Sequence, residues 1–170
     1  DAYRVHIHTF HSFCNMVIQE NVHLFNTRQL EALSDLERIE FLKQLIDGFE
    51  KDNPLKRYKG EVYYDVSNFI QLFSAIKREG WKLLWLLEKI DDYTQTIIPE
   101  TDGLYNKREK AKGNILFTQK GKDEIERMQK LRAAINAFDA YQQILKKNDR
   151  YDFDDMINWV IQLFENQNEV

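Results

Sequence analysis

Residues His6 to Glu20 read HIHTFHSFCNMVIQE, and this stretch turns from one backbone period to another. Up to His8 the character alternates, and Tyr3-Arg4-Val5-His6-Ile7-His8 is expected to be a short strand with Val5 and Ile7 on one face. From Phe10 onward the apolar residues Phe10, Phe13, Cys14, Val17 and Ile18 fall at helical spacing, which predicts a helix over His11 to Glu20. A lone strand cannot satisfy its own backbone groups, so the segment is expected to have been cut from something larger.

Three histidines and the only cysteine crowd into the same stretch. His6 and His8 share one side of the strand, and His11 and Cys14 lie one helical turn apart, which is a workable ligand spacing for zinc or copper. No second ligand cluster follows, and Cys14 sits on the apolar stripe, where a buried thiol is the ordinary occupant. A Cys14–His11 nucleophile pair meets the same objection, because an activated thiolate needs an exposed, electropositive setting. A third possibility uses position. The turn Thr9-Phe10-His11-Ser12 places free helix-start amides beside hydroxyls and an imidazole, a natural seat for a phosphate, with Phe10 able to support a base or sugar. An ordinary capped turn, with Thr9 as N-cap, accounts for the same residues equally well.

Further along, glycine and proline fall between periodic segments rather than inside them, and the pieces read mainly as helices. Leu36, Ile39, Leu42, Leu45, Ile46 and Phe49 form one stripe, opened by a Ser34–Glu37 capping box. Val66, Phe69, Ile70, Phe73 and Ile76 form another, capped by Asp65 and ended near Gly80. WKLLWLL (81–87) is apolar nearly all round and is expected to be the most buried helix. Residues 99 to 122, PETDGLYNKREKAKGNILFTQKGK, are poor in apolar positions and biased to basic ones, so a long loop or hairpin excursion is expected. One long helix is expected from about 123 to 147, with Ile125, Met128, Leu131, Ile135, Phe138, Tyr141 and Leu145 inward. The last helix starts at DFDDM (152–156), with Asp152 as cap, Asp155 in the first turn, and Phe153, Met156, Ile157, Val160, Ile161 and Phe164 as its stripe. The expected architecture is mainly α, an irregular helical bundle with one short N-terminal strand.

Composition sets bounds. The 170 residues are 43% hydrophobic and 13% aromatic, enough for one domain with a real core. A net charge of -4 argues against a surface that coats nucleic acid all over, though local basic patches remain. One cysteine suits a reducing cytoplasm, and no apolar run approaches the roughly 20 residues of a membrane span. The basic patches are Lys56, Arg57 and Lys59 around Tyr58, and Lys107, Arg108, Lys110 and Lys112 near Tyr105. Either could touch phosphates or could be plain solvated loop charge.

VHIHTFHSFCNMVIQEN (5–21) resembles motif Ib of superfamily-one DNA helicases of the UvrD/Rep type, a strand followed by Thr-Phe-His-Ser and a helix. AYQQILKKNDRYDFDDMINWVIQLF (140–164) resembles the helix that leads that family into Asp-Phe-Asp-Asp, shortly before its Walker B strand. The resemblance implies a division into 1–21, the motif Ib edge of the first motor domain; 22–150, the helical insertion called subdomain 1B; and 151–170, a return to the motor domain. It implies single-stranded DNA contact through Thr9, Phe10, His11 and Ser12, and a parent enzyme that uses ATP and magnesium to unwind DNA in repair or recombination. It further implies nearness of the basic loops to forked duplex, and the remaining motor domains as partners. Asp152, Asp154 and Asp155 could brace the nucleotide site or a neighbouring motif, or could simply start a helix. No Gly-x-x-x-x-Gly-Lys-Ser/Thr loop is present, since QKGKDE (119–124) lacks the leading glycine and the hydroxyl. No strand ending in Asp-Glu occurs either, so both elements are expected outside these residues and the segment is expected to be inactive alone. A free-standing helical interaction module, with Trp81, Trp85 and Trp159 as a binding face, is the alternative from a different class.

Overall fold

The computed structural model of the protein describes residues 8–25 and 31–167. The expected strand at Tyr3–His8 falls almost wholly outside them, as does His6. Eight α-helices are described: α1 (Phe10–Glu20), α2 (Asp35–Asp47), α3 (Val66–Arg78), α4 (Leu83–Asp92), the single turn α5 (Lys107–Lys110), α6 (Gln119–Asn136), α7 (Phe138–Lys147) and α8 (Phe153–Gln167). The chain is mainly α, as its periodicity implies. The sheet in the described residues is a two-residue parallel pair, β1 (Glu31–Ala32) beside β2 (Arg150–Tyr151), with Glu31 opposite Arg150 and Ala32 opposite Tyr151.

Local chemistry accounts for most helix starts. Ser34 accepts from the Glu37 amide at 3.2 Å while the Glu37 carboxylate accepts from the Ser34 amide at 3.0 Å, completing the expected box. Those bonds and Arg150 hold the Glu37 carboxyl down at about 2. Thr118 caps α6 by accepting from the Gly121 amide. Asp65 precedes α3 without a side-chain cap: its carboxylate accepts instead from Arg57 at 3.2 Å and Asn68 at 3.0 Å.

Two apolar clusters organise the helices. The larger gathers Leu42, Ile46, Phe69, Phe73, Tyr141 and Leu145 from α2, α3 and α7. Phe73 is its hub, with ring centroids 5.3 Å from Phe69, 5.3 Å from Phe138 and 5.0 Å from Tyr141. The smaller joins α1 to α8 through Cys14, Val17, Ile18, Tyr151, Met156 and Val160. Tyr151 is fully buried there and donates to Asn15 of α1 at 2.5 Å.

Beyond the missing Asp65 cap, three further expectations need correction. The 81–87 run is not the most buried helix: in α4 only Ile90 is buried, and Leu84 is 76% exposed. This helix packs on α6 along one side, and nothing in the described residues covers the other. The 123–147 helix is two helices that meet at Ala137. No glycine or proline marks the break; it turns the chain from a face on α4 to a face on α2, and tertiary packing overrides local propensity. The α8 stripe is only half inward, with Met156 and Val160 buried but Phe153, Ile161 and Phe164 exposed.

Within the expected 99–122 excursion, a hairpin is closed by an antiparallel bridge between Tyr105 and Phe117 and carries α5, whereas Gln119 to Lys122 are already the first turn of α6. It leans on α6 at Gly121, where a Cβ would lie 2.0 Å from the Leu104 carbonyl oxygen. Gly121→Ala is therefore expected to cost about 2–3 kcal/mol, since backbone must move to admit the methyl. A thermal melt showing wild-type stability would contradict this close approach.

Candidate nucleic-acid interface

Thr9 caps α1, accepting from the Ser12 amide at 3.2 Å, and its own carbonyl receives the Phe13 amide at 2.9 Å. His8 Nδ1 and Ser12 Oγ lie 3.2 Å apart. Thr9, Phe10, His11 and Ser12 are all exposed, Phe10 at 61%. The His11 ring stands edge-on to Phe10 at 6.3 Å and to Phe153 of α8 at 5.2 Å. Ring faces, two hydroxyls, an imidazole and the first-turn amides of α1 are thus presented together at one corner.

The same helix disposes of the reactive-cysteine reading. Cys14 is buried in the smaller cluster, and burial pushes its thiol up, away from the thiolate. Among the described residues no group of three His, Cys, Asp or Glu side chains is arranged to hold a metal.

The three acids of the DFDD segment turn inward to α3. Lys77 Nζ donates to Asp152 at 2.5 Å and to Asp155 at 2.8 Å, and all three side chains are nearly excluded from solvent. Ser74 donates to Asp154 at 2.5 Å, and Asn158 donates to the Lys77 carbonyl at 3.1 Å. Asp152 also caps α8, accepting from the Asp155 amide at 3.0 Å, while Asp155 accepts from the Asp152 amide at 3.3 Å. Desolvation pushes the Asp155 carboxyl up to about 6, opposed by Lys77 and reinforced by Asp152. One ammonium faces two carboxylates in this cluster. Lys77 escaped the reading of the sequence, though a signal was there: it lies four residues after Phe73, on the apolar stripe of α3, where a lysine needs a buried partner. Phe153 lies on the expected stripe of α8 but contacts His11, more than 140 positions away.

The basic patches are less free than their sequence implies. Lys56 donates to the Ile46 and Asp47 carbonyls at the end of α2, at 3.2 and 2.7 Å. Arg57 pairs with Asp65 and lies 4.4 Å from the centre of the Tyr64 ring. Lys59 is exposed. In the hairpin, Lys107 pairs with Asp102 at 2.7 Å, Lys112 with Glu109 at 2.8 Å, and Lys110 with Glu100 at 2.7 Å. Lys110 also donates to the Pro99 carbonyl and sits over Tyr105. The side chain of Arg108 lies outside the described residues.

A capped, solvent-facing Thr-Phe-His-Ser turn and an acidic helix start anchored to a neighbouring helix follow one another in the order that the resemblance implies. The family model described as UvrD/REP helicase N-terminal domain matches residues 1–170, and the chain belongs to that family. No curated protein and no solved structure matches.

Proposed function

We propose that this chain is an internal segment of an ATP-dependent DNA helicase that holds the sugar-phosphate chain of single-stranded DNA at the start of α1. The carrying observation is the exposure of all four residues Thr9, Phe10, His11 and Ser12. Hydroxyls and amides suit phosphate oxygens, and Phe10 offers a face to a base or sugar. The smaller cluster supports assigning 1–21 and 151–170 to the motor domain, with 22–150 as the helical insertion between them.

ATP and magnesium belong to the parent enzyme, which works in DNA repair or recombination in the cytoplasm. The residues present do not fit that cofactor, because the sequence has no phosphate loop and the acids Asp152, Asp154 and Asp155 are occupied by Lys77 and Ser74. No helix of the described residues is long and apolar enough to cross a membrane. A weaker contact with forked duplex falls to Lys107 and Lys112, whose exposed ion pairs are cheap to exchange for phosphates. Lys110, Lys56 and Arg57 are held more firmly within the fold. Lys59 and Arg108 complete the candidate set.

In the helicase containing this segment, Phe10→Ala with His11→Ala is expected to weaken oligothymidylate binding about tenfold or more, from loss of about 1–3 kcal/mol per stacked base. Fluorescence anisotropy measures this, and undiminished affinity would refute the assignment. In low salt, Lys107→Ala with Lys112→Ala should lower fork affinity and reduce its salt slope by about one per lost contact.

A further inference from the structure

The outward side of α4 and the groove beside it form a second surface that DNA contact at α1 does not explain. α4 carries apolar side chains on both sides. Leu83, Leu86 and Ile90 pack inward, while Trp81, Leu84 and Trp85 are exposed, the two indoles 6.4 Å apart. A helix that is apolar all round is ordinarily covered on every side. Trp159, by contrast, packs tilted against Tyr151, ring centroids 5.5 Å apart, and is partly buried on the smaller cluster.

Between α4, α6 and α3 run two hollows of about 420 and 290 Å3. Both are lined by Leu72, Arg127, Met128 and Leu131, so together they make one trough along α6, with Trp81 at one end. Its charges are sorted by depth. The acids are shielded and engaged: Glu124 accepts from Tyr93 at 3.1 Å and pairs with Arg127, and Asp65 pairs with Arg57. The lining cations stand at the rim: Arg127, the partner of Glu124, has a side chain 74% exposed, Lys130 pairs with Glu126, which is 61% exposed and lies outside the lining, and Lys89 lies over the Trp85 ring. The floor is aliphatic and takes side chains rather than flat bases.

The geometry points to a docking groove for an acidic, amphipathic peptide segment of another protein. Leucine or phenylalanine anchors of that segment would fill the trough between α3, α4 and α6, and its carboxylates would meet Lys89, Arg127 and Lys130. The charge sorting favours this occupant over a basic segment, and the aliphatic floor favours it over a nucleic acid.

The test uses the helicase containing this segment and a short fluorescein-labelled peptide in which Asp and Glu alternate with Leu and Phe. A control peptide carries Lys in place of every acid. Anisotropy is expected to show saturable binding of the acidic peptide that weakens as salt rises, with the control weaker about tenfold or more. Arg127→Glu, at an exposed site where folding is not at stake, is expected to weaken the acidic peptide about tenfold, and Leu131→Glu at least as much. Failure of the acidic peptide to bind, equal binding of the lysine control, or indifference to Arg127→Glu would each overturn the proposal. So would displacement of the peptide by oligothymidylate, or self-association of the chain that Leu131→Glu abolishes, since the groove would then serve nucleic acid or a second copy.

Discussion

Lys77→Met is expected to destabilise the chain by about 3–5 kcal/mol, because it leaves two buried carboxylates without their counter-charge. Urea denaturation followed by circular dichroism measures the loss, and a shift below about 1 kcal/mol would mean that the cluster is hydrated. The converse substitution should be mild. Asp155→Asn keeps the hydrogen-bonding shape, removes the second carboxylate and leaves Lys77 and Asp152 as a matched pair. The same balance sets a pH dependence. The folded-state value for Asp155, about 6, lies above the unfolded value of about 3.9. The folded state therefore binds the proton more tightly. The stability this group contributes is fully present below about pH 4 and is lost as pH rises through about 6. Glu37 acts in the opposite sense, its contribution being lost only as pH falls from about 4 toward 2. Between about pH 4 and 6 the wild-type chain should lose stability relative to Asp155→Asn, and parallel curves would exclude Asp155 as the source.

The second large effect belongs to the hub of the larger cluster. Phe73→Ala is expected to cost about 3–5 kcal/mol, the range for emptying a buried aromatic site that cannot collapse. Phe73 is 2% exposed and is contacted by rings from α3 and α7, so no single neighbour can move in to fill the void. Leu84→Ala on α4 provides the contrast, with an expected change within about 0.5 kcal/mol, as for other exposed sites. Equal losses at the two positions would contradict the burial pattern of α4.

Much of this arrangement is written locally. The capping box at Ser34 and Glu37, the start of α8 at Asp152 and the cap at Thr9 all depend on contacts within four residues, which a sequence displays directly. The Thr-Phe-His-Ser turn was legible for the same reason, and so was the helical class. What escaped depends on partners far apart in the chain. The burial of α4 could not be read from WKLLWLL, because an apolar helix looks the same whether or not a neighbour covers it. The break at Ala137 has no local marker. The loop lysines read as free charge until Asp102, Glu100 and Glu109 are seen to fold back on them. Most of all, the DFDD acids gave no sign of their partner, since Lys77 lies 75 residues upstream of Asp152.

The small parallel pair of β1 and β2 has a consequence for how this architecture can vary. Adjacent strands lie about 4.8 Å apart, so the polypeptide leaves the α1 side and re-enters α8 through neighbouring doorways. Everything from Leu33 to Asp149 hangs from that threshold as a cassette. Its length and helix count can be rewritten without moving that threshold, provided that the Lys77, Ser74 and Glu37 contacts to the segment from Arg150 to Asn158 are supplied anew.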